Sequence, residues 1–259
     1  MDRLVLYRML FTVLIVYILF GLYLFLAQGR MVYFPSKQDF SHCEGFEEYE
    51  KVEFKETRFY ELQKNKDLVI FYHGNAGSAC DRAFLKPLLE KSGKSVIVME
   101  YAGYSNHNHR PSKKLILQDV KNIVEYTKQQ QYQTITVLGE SVGTGAAAYH
   151  SSISSNVRLF LLSPFTSMTD LAPWLFKVYP LKLLMTQNYD NREYLKNFRG
   201  EIFIIHGSED TIIAPIISRN LFDSLATHQK QYHLVAGAGH NDLYSFEDTK
   251  VNISAFLSK

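Results

Sequence analysis

Thr134-Ile135-Thr136-Val137-Leu138, then Gly139-Glu140-Ser141-Val142-Gly143, then Thr144-Gly145-Ala146-Ala147-Ala148 is the stretch that decides how this chain is read. The first five residues are β-branched or apolar and predict a buried strand. The small residues after Gly143 predict a helix packed close against it. Between them lies G-x-S-x-G, which puts a serine on a sharp strand-to-helix turn. Small flanking residues let such a turn close while the hydroxyl projects into the open. The helix N-terminus behind Ser141 favours developing negative charge. A lone G-x-S-x-G is a weak pattern, but the strand before it and the helix after it supply the context a nucleophile requires.

Working outward, further apolar runs occur at Leu68 to Tyr72, Ser95 to Met99, Arg158 to Leu162, Ile202 to Ile205 and Tyr232 to Val235. They are too uniformly apolar to be solvated on one face, which is the pattern of a parallel sheet covered on both sides. Helical stretches alternate with them: Asp81 to Lys91, Lys113 to Gln129, Val142 to Ser151, Pro215 to Ala226 and Ser245 to Leu257. Leu115, Val120, Ile123 and Val124 carry the spacing of a buried stripe. The order predicts an α/β domain with a mostly parallel central sheet and helices on both faces. Val52 to Phe59 reads as an edge strand or hairpin, and Lys64 to Asp67 as a polar turn. One stretch, Phe165 to Asn191, breaks the alternation. It is rich in Leu, Met, Tyr and Phe, holds the only tryptophan, Trp174, and is expected to form a small cap at about 165–191, although Trp174, Phe176, Leu183 and Leu184 could equally fill core.

A serine hydroxyl needs a base, and the base needs an orienting acid. Ile202 to Ile205 runs into His206-Gly207-Ser208-Glu209-Asp210, and Val235-Ala236-Gly237-Ala238-Gly239-His240 follows the next strand. Both lie at the C-terminal ends of strands, where sites in open α/β sheets form. Ser141, Asp210 and His240 are therefore the candidate nucleophile, acid and base. Glu209 and, less well placed, Asp242 are rivals of Asp210; Asp242 suits a surface or capping role near the last helix. A fourth element, His73-Gly74-Asn75-Ala76-Gly77, ends an early strand. The backbone N–H groups of Asn75 and Val142 are the candidate oxyanion donors. His73 reads as a structural residue of that loop. His107 and His109 have no carboxylate or cysteine nearby in sequence, so a polar loop explains them better than a metal site.

Met9 to Gly29 holds 21 residues without a charge, roughly 30 Å as a helix, and predicts a single N-terminal transmembrane anchor over residues 1–30 ahead of a domain over 31–259. A cleaved signal peptide is the competing reading, with Ala27-Gln28-Gly29 as its processing site, but the apolar run is long for one. Arg3 and Arg8 before the span are matched by Arg30 and Lys37 after it, so orientation is weakly set, with the domain tipped to the non-cytoplasmic side. The net charge is +2, and its excess sits in the first 30 residues, leaving the globular part formally neutral. No basic face for phosphates is expected, which sets nucleic acid aside. With 46% hydrophobic and 21% charged residues the chain is ordinary globular material. Cys43 and Cys80 are expected as two free thiols, with pairing the alternative in an oxidising compartment.

Taken in order, HGNAG, GESVG, HGSED and GAGHND, with Ser163-Pro164-Phe165-Thr166-Ser167 and Tyr189-Asp190-Asn191, resemble the single-span, membrane-anchored α/β-hydrolase-domain proteins. That group includes protein depalmitoylases and lies near the monoacylglycerol lipases and prolyl-aminopeptidase-like enzymes. The resemblance covers residues 30 to 259 and implies the α/β-hydrolase fold, the triad Ser141, Asp210 and His240, and the oxyanion role of Asn75 and Val142. The triad chemistry predicts hydrolysis of an ester or thioester with neither cofactor nor metal needed, and an apolar cap beside a membrane anchor favours a lipid-like acyl group. The alternatives are a peptidase, which would need an acid such as Glu140 or Glu100 for a substrate amine, and a catalytically silent membrane scaffold. The chain departs from the group at Glu100-Tyr101-Ala102-Gly103-Tyr104-Ser105, where members usually begin with aspartate and place a second glycine at the position of Ser105.

Overall fold

The computed structural model describes residues 2–172 and 174–259; the side chains of Trp174 and Leu175, and with them the expected packing of Trp174, lie outside the described residues. The chain begins with a 30-residue helix, α1 (Arg3–Val32), capped by the Asp2 carboxylate on the Leu4 N–H. It is long and apolar enough to cross a membrane. A short strand, β1 (Phe34–Pro35), follows, and then the hairpin β2 (Glu50–Phe54) and β3 (Thr57–Leu62). Lys55 and Glu56 at its tip both have positive φ, as a two-residue turn that preserves strand twist requires.

From there strand and helix alternate. β4 (Asp67–Tyr72) leads to β5 (Ala76–Gly77), a 3-10 turn over Cys80–Leu85 and α2 (Lys86–Glu90). β6 (Ser95–Glu100) precedes α3 (Lys113–Gln129), and β7 (Thr134–Glu140) precedes α4 (Gly143–Ile153). β8 (Val157–Leu162) opens an excursion holding α5 (Met168–Leu171), a 3-10 turn over Trp174–Val178, α6 (Leu181–Leu184) and α7 (Asn191–Leu195). β9 (Ile202–Gly207), α8 (Pro215–Ser224), β10 (Lys230–Val235) and α9 (Glu247–Leu257) complete the chain. The main sheet has the order β10-β9-β8-β7-β4-β6-β3-β2, with β3 antiparallel to both neighbours and all pairings from β6 to β10 parallel.

Strand alternation divides the core. Leu68, Ile70 and Tyr72 face α3, α4 and α8, whereas Val69 and Phe71 face α2 and α9. Both faces of β4, β6, β7, β8 and β9 are buried, which is why these parallel strands read as continuous apolar runs, whereas β10 at the sheet edge leaves Leu234 45% exposed. Three expectations need correction. The helix expected over Asp81 to Lys91 is a 3-10 turn followed by five α-helical residues, because Pro87 has no N–H to continue a helix through it and is accommodated in the first turn of α2. The buried stripe of α3 runs through Ile116, while Leu115 is only half-buried. Cys43 and Cys80 are joined by a disulfide, their Cα atoms 5.6 Å apart. Sequence could not place them together, because the proximity comes from the strap of residues 36–49 folding over the segment after β5.

Candidate active site

The turn between β7 and α4 forces Ser141 into the left-handed region, with φ of 52°. A non-glycine residue held there is strained and persists only where its surroundings fix it. Here the Ser141 N–H donates to the Leu162 carbonyl at 2.9 Å, and the Ser141 carbonyl accepts from the Thr144 N–H at 2.9 Å and hydroxyl at 2.6 Å. A Cβ on Gly143 would stand 2.3 Å from the Tyr72 carbonyl oxygen, so only glycine lets the start of α4 press against the end of β4. That contact sets the serine turn beside the loop His73 to Gly77.

His240 stands on the loop after β10, and its Nε2 lies 3.0 Å from Ser141 Oγ. Its Nδ1 lies 2.6 Å from Asp210 Oδ2, on the loop after β9. Asp210 is fully buried at the side chain, whereas Glu209 is exposed and takes no part. Burial alone would push the Asp210 carboxyl up. Hydrogen bonds from His206 and His240 and from the Ile213 N–H outweigh it and hold the group well below the usual carboxylate range. His206 Nε2 sits 3.1 Å from Asp210 Oδ2 and 2.8 Å from the Ile213 carbonyl, so its N–H is shared between the acid and the loop that carries it. Asp242 is exposed, as the surface role expected of it requires, and caps no helix with its side chain. Its Oδ1 accepts the Gly239 N–H at 2.7 Å and braces the loop immediately before His240.

Asn75 is placed from two sides. Its carbonyl accepts from the Phe34 N–H and from the Tyr104 hydroxyl, and its side-chain amide donates to the Val32 carbonyl at 3.0 Å. Among the described loop bonds, neither the Asn75 nor the Val142 N–H has an acceptor. Glu140, the variable residue of the serine turn, makes a bidentate pair with Arg82 at 2.9 and 2.8 Å and accepts the Tyr244 hydroxyl at 3.1 Å. Arg82 also reaches the Ala76 carbonyl, so one guanidinium ties the serine turn to the Asn75 loop. The two departures from the family pattern meet each other: Ser105 Oγ donates to Glu100 Oε2 at 2.7 Å. Ser105 has φ of 46°, which explains the glycine usual at that position. His73 is buried against Tyr101, donating from Nδ1 to the Gly74 carbonyl, and so fills the structural role expected of it. His107 and His109 lie on the loop after β6, away from the serine.

Among solved structures, an esterase of Pyrococcus furiosus, Pf2001, superimposes with a TM-score of 0.65 at 18% identity, covering 81% of this chain and 91% of its own. A monoacylglycerol lipase of Paleococcus ferrophilus gives 0.60 at 15%, covering 78% and 98%. The chain has the α/β-hydrolase fold. By sequence, an uncharacterized protein of Mycobacterium tuberculosis is 32% identical over 67% of the chain and 63% of its own length. The lysophosphatidylserine lipase ABHD12 of Rattus norvegicus is 22% identical over 79% of the chain and 60% of its own length. The chain thus spans just under two thirds of the length of these curated relatives. No family model matches it.

The structure brings the three residues singled out from sequence, Ser141, His240 and Asp210, within hydrogen-bond reach of one another, whereas their supports were not anticipated. His206 was visible in HGSED without a role. Arg82 and Tyr244 carry no motif, and only the fold brings them to Glu140. The strings Ser163 to Ser167 and Tyr189 to Asn191, quoted separately, pair with each other. Ser167 bridges Asp190, and Asn191 donates to the Phe165 carbonyl and to Thr144 of α4. They close the base of the excursion beside the serine turn.

Proposed function

We propose that this chain is a serine hydrolase that cleaves carboxylic ester or thioester bonds of lipid-like acyl substrates. The observation that carries the reading is the continuous line from Asp210 through His240 to Ser141, with bonds of 2.6 and 3.0 Å. His240 Nε2 takes the Ser141 proton as Oγ attacks the acyl carbon, and Asp210 stabilises the imidazolium that forms. The Asn75 and Val142 N–H groups receive the developing oxyanion. His240 then protonates the leaving group, and water activated by the same imidazole releases the acid from the acyl-enzyme.

The helix α1 is the membrane anchor in this reading, residues 31–259 are the catalytic domain, and 165–191 form its cap. The lipase and esterase named above support the acyl chemistry by analogy of fold. An aminopeptidase finds less support, because the two acids it would use are occupied. Glu140 is held by Arg82 and Tyr244, and Glu100 is buried with Ser105. Labelling with a fluorophosphonate probe tests the proposal. The wild-type chain should be labelled and Ser141→Ala should not; an unlabelled wild type would leave a silent scaffold as the better reading.

A further inference from the structure

The excursion between β8 and β9 does not lie over the domain alone. It packs along the second half of α1. The Tyr17 hydroxyl donates to the Val178 carbonyl at 2.9 Å, and the Tyr179 hydroxyl returns to the Tyr17 carbonyl at 2.8 Å. Their rings stack at 4.4 Å. Eleven residues later, Gln28 donates to the Leu184 carbonyl and accepts the Thr186 N–H at 2.7 Å. Tyr17, Gly21, Leu24, Gln28 and Met31 thus form one stripe of the helix facing the excursion. A Cβ on Gly21 would meet the Tyr179 ring at 2.7 Å, so this glycine is what lets the two elements close at that level.

Between these two clasps lies a cavity of about 260 Å³, walled by Leu24, Met31 and Val32 of α1 and by Met168, Leu184 and Met185 of the excursion. Its lining is apolar apart from Gln28. From Gly21 to Val32 it extends roughly 16 Å along the helix, about the depth of one leaflet of hydrocarbon. One end, at Val32 and Met168, is linked to the site by one neighbour on each side: the Val32 carbonyl holds the Asn75 side chain, and the Met168 N–H bonds to Tyr189, whose ring packs on Gly145 of α4. The outer face of the excursion carries apolar side chains where it runs beside α1, with Leu183 83% and Val178 59% exposed, each next to an exposed lysine, Lys182 and Lys177, whose long stem can carry its charge toward the interface. Such apolar side chains suit hydrocarbon rather than water. If α1 spans the bilayer through Met9 to Gly29, the excursion stands in the leaflet nearest the domain.

We infer that this groove is the acyl-binding site, that the anchor helix forms one wall of it, and that a single acyl chain of a membrane-borne ester enters it sideways from the leaflet. The inference rests on the serine hydrolase reading and adds to it the binding site and the route. A chain lying along α1 with its carboxyl end at Val32 arrives beside Asn75 without leaving hydrocarbon, so the desolvation of the substrate is already done.

The test uses the full chain in phosphatidylcholine vesicles, with p-nitrophenyl acetate and p-nitrophenyl dodecanoate as substrates. Leu24→Trp fills the groove. Leu26→Trp puts the same bulk on the outward face, where Leu26 is 73% exposed. The dodecanoate-to-acetate ratio of kcat/KM should fall about tenfold or more in Leu24→Trp, since each methylene excluded from an apolar pocket matters at this scale, and should hold in Leu26→Trp. An unchanged ratio in Leu24→Trp, or equal losses on both esters, overturns the inference. A second readout needs no turnover: a long-chain glyceryl ether carrying a mid-chain diazirine, photolysed with Ser141→Ala, should cross-link Met185 or Leu184, and Leu24→Trp should abolish that label. Cross-links confined to Leu4 to Val16, or cross-links at Leu184 that survive Leu24→Trp, count against the groove. If neither ester is turned over, the hydrolase reading falls and the cross-link map alone decides the site.

Discussion

At the scale of single residues, Asp210 is asked to stay ionised while buried, and His206 is the neighbour that makes this affordable. The Nε2–H of His206 is shared between Asp210 and the Ile213 carbonyl, so it holds both the charge of the acid and the path of its loop. Replacing it by alanine leaves Asp210 with fewer donors and a void beside it. A charged hydrogen bond of this type is worth about 1.5–3 kcal/mol, so His206→Ala should lower kcat roughly ten- to a hundredfold. KM should change little, because His206 touches no substrate. His206→Gln, which can again offer an N–H, should recover part of the loss; equal losses in kcat and KM would instead mean that the whole site has moved. The three candidate side chains were legible because each sits in a local string whose chemistry is written in sequence: a serine between glycines, an acid just past a strand, a histidine after a glycine-rich loop. Their supports were not: only the assembled sheet brings Arg82 and Tyr244 to Glu140, and His206, four residues before Asp210, was in view without a role.

At the scale of elements, α3 is tied to the site loop by one buried carboxylate. Asp119 Oδ1 accepts from the Thr57 hydroxyl at 2.8 Å, and Oδ2 accepts from the Ala102 N–H at 2.9 Å. Burial raises its pKa from 3.8 to about 7 against the pull of those donors. The folded chain therefore keeps a proton that the unfolded chain releases. The stability this confers is present in full below 3.8 and disappears as pH rises to about 7. The melting temperature of the full chain in detergent should fall across that window, and Asp119→Asn should flatten the slope even while it lowers the overall value. A wild-type profile parallel to that of Asp119→Asn would refute the assignment. Most elements themselves were readable, since buried parallel strands announce themselves as apolar β-branched runs and α3 by its period. The boundaries that shifted did so for local reasons, such as Pro87 in α2. The long-range pairings did not announce themselves. Asp119 sits on a helix in a position that sequence alone would give to solvent, and the stripe of α1 from Tyr17 to Gln28 looked like uniform membrane filler, although its few polar or small residues fall at helical spacing.

At the scale of the whole molecule, the anchor leaves the side of the domain open, because Arg3 and Arg8 are balanced by Arg30 and Lys37. The disulfide between Cys43 and Cys80 supplies what the charges do not. It spans 37 positions in sequence and pins the strap after α1 to the segment that follows the Asn75 loop. Closing a loop of this size restricts the unfolded chain by about 3–4 kcal/mol, a sizeable share of the stability of one domain. Such a bond persists outside the reducing cytosol, so we propose that the domain after α1 lies on the non-cytoplasmic face, with the N-terminus of α1 inside. Membranes from cells expressing the full chain, denatured with maleimide-polyethylene glycol, should show no mass shift without reductant and two additions after it. Tagging of both cysteines without reductant would place the domain in a reducing compartment. Because the strap leads from Val32, which holds Asn75, toward Cys43, the bond also bears on the site: reduction should loosen the same connection that fixes the Asn75 loop to the end of α1, and activity should fall together with stability.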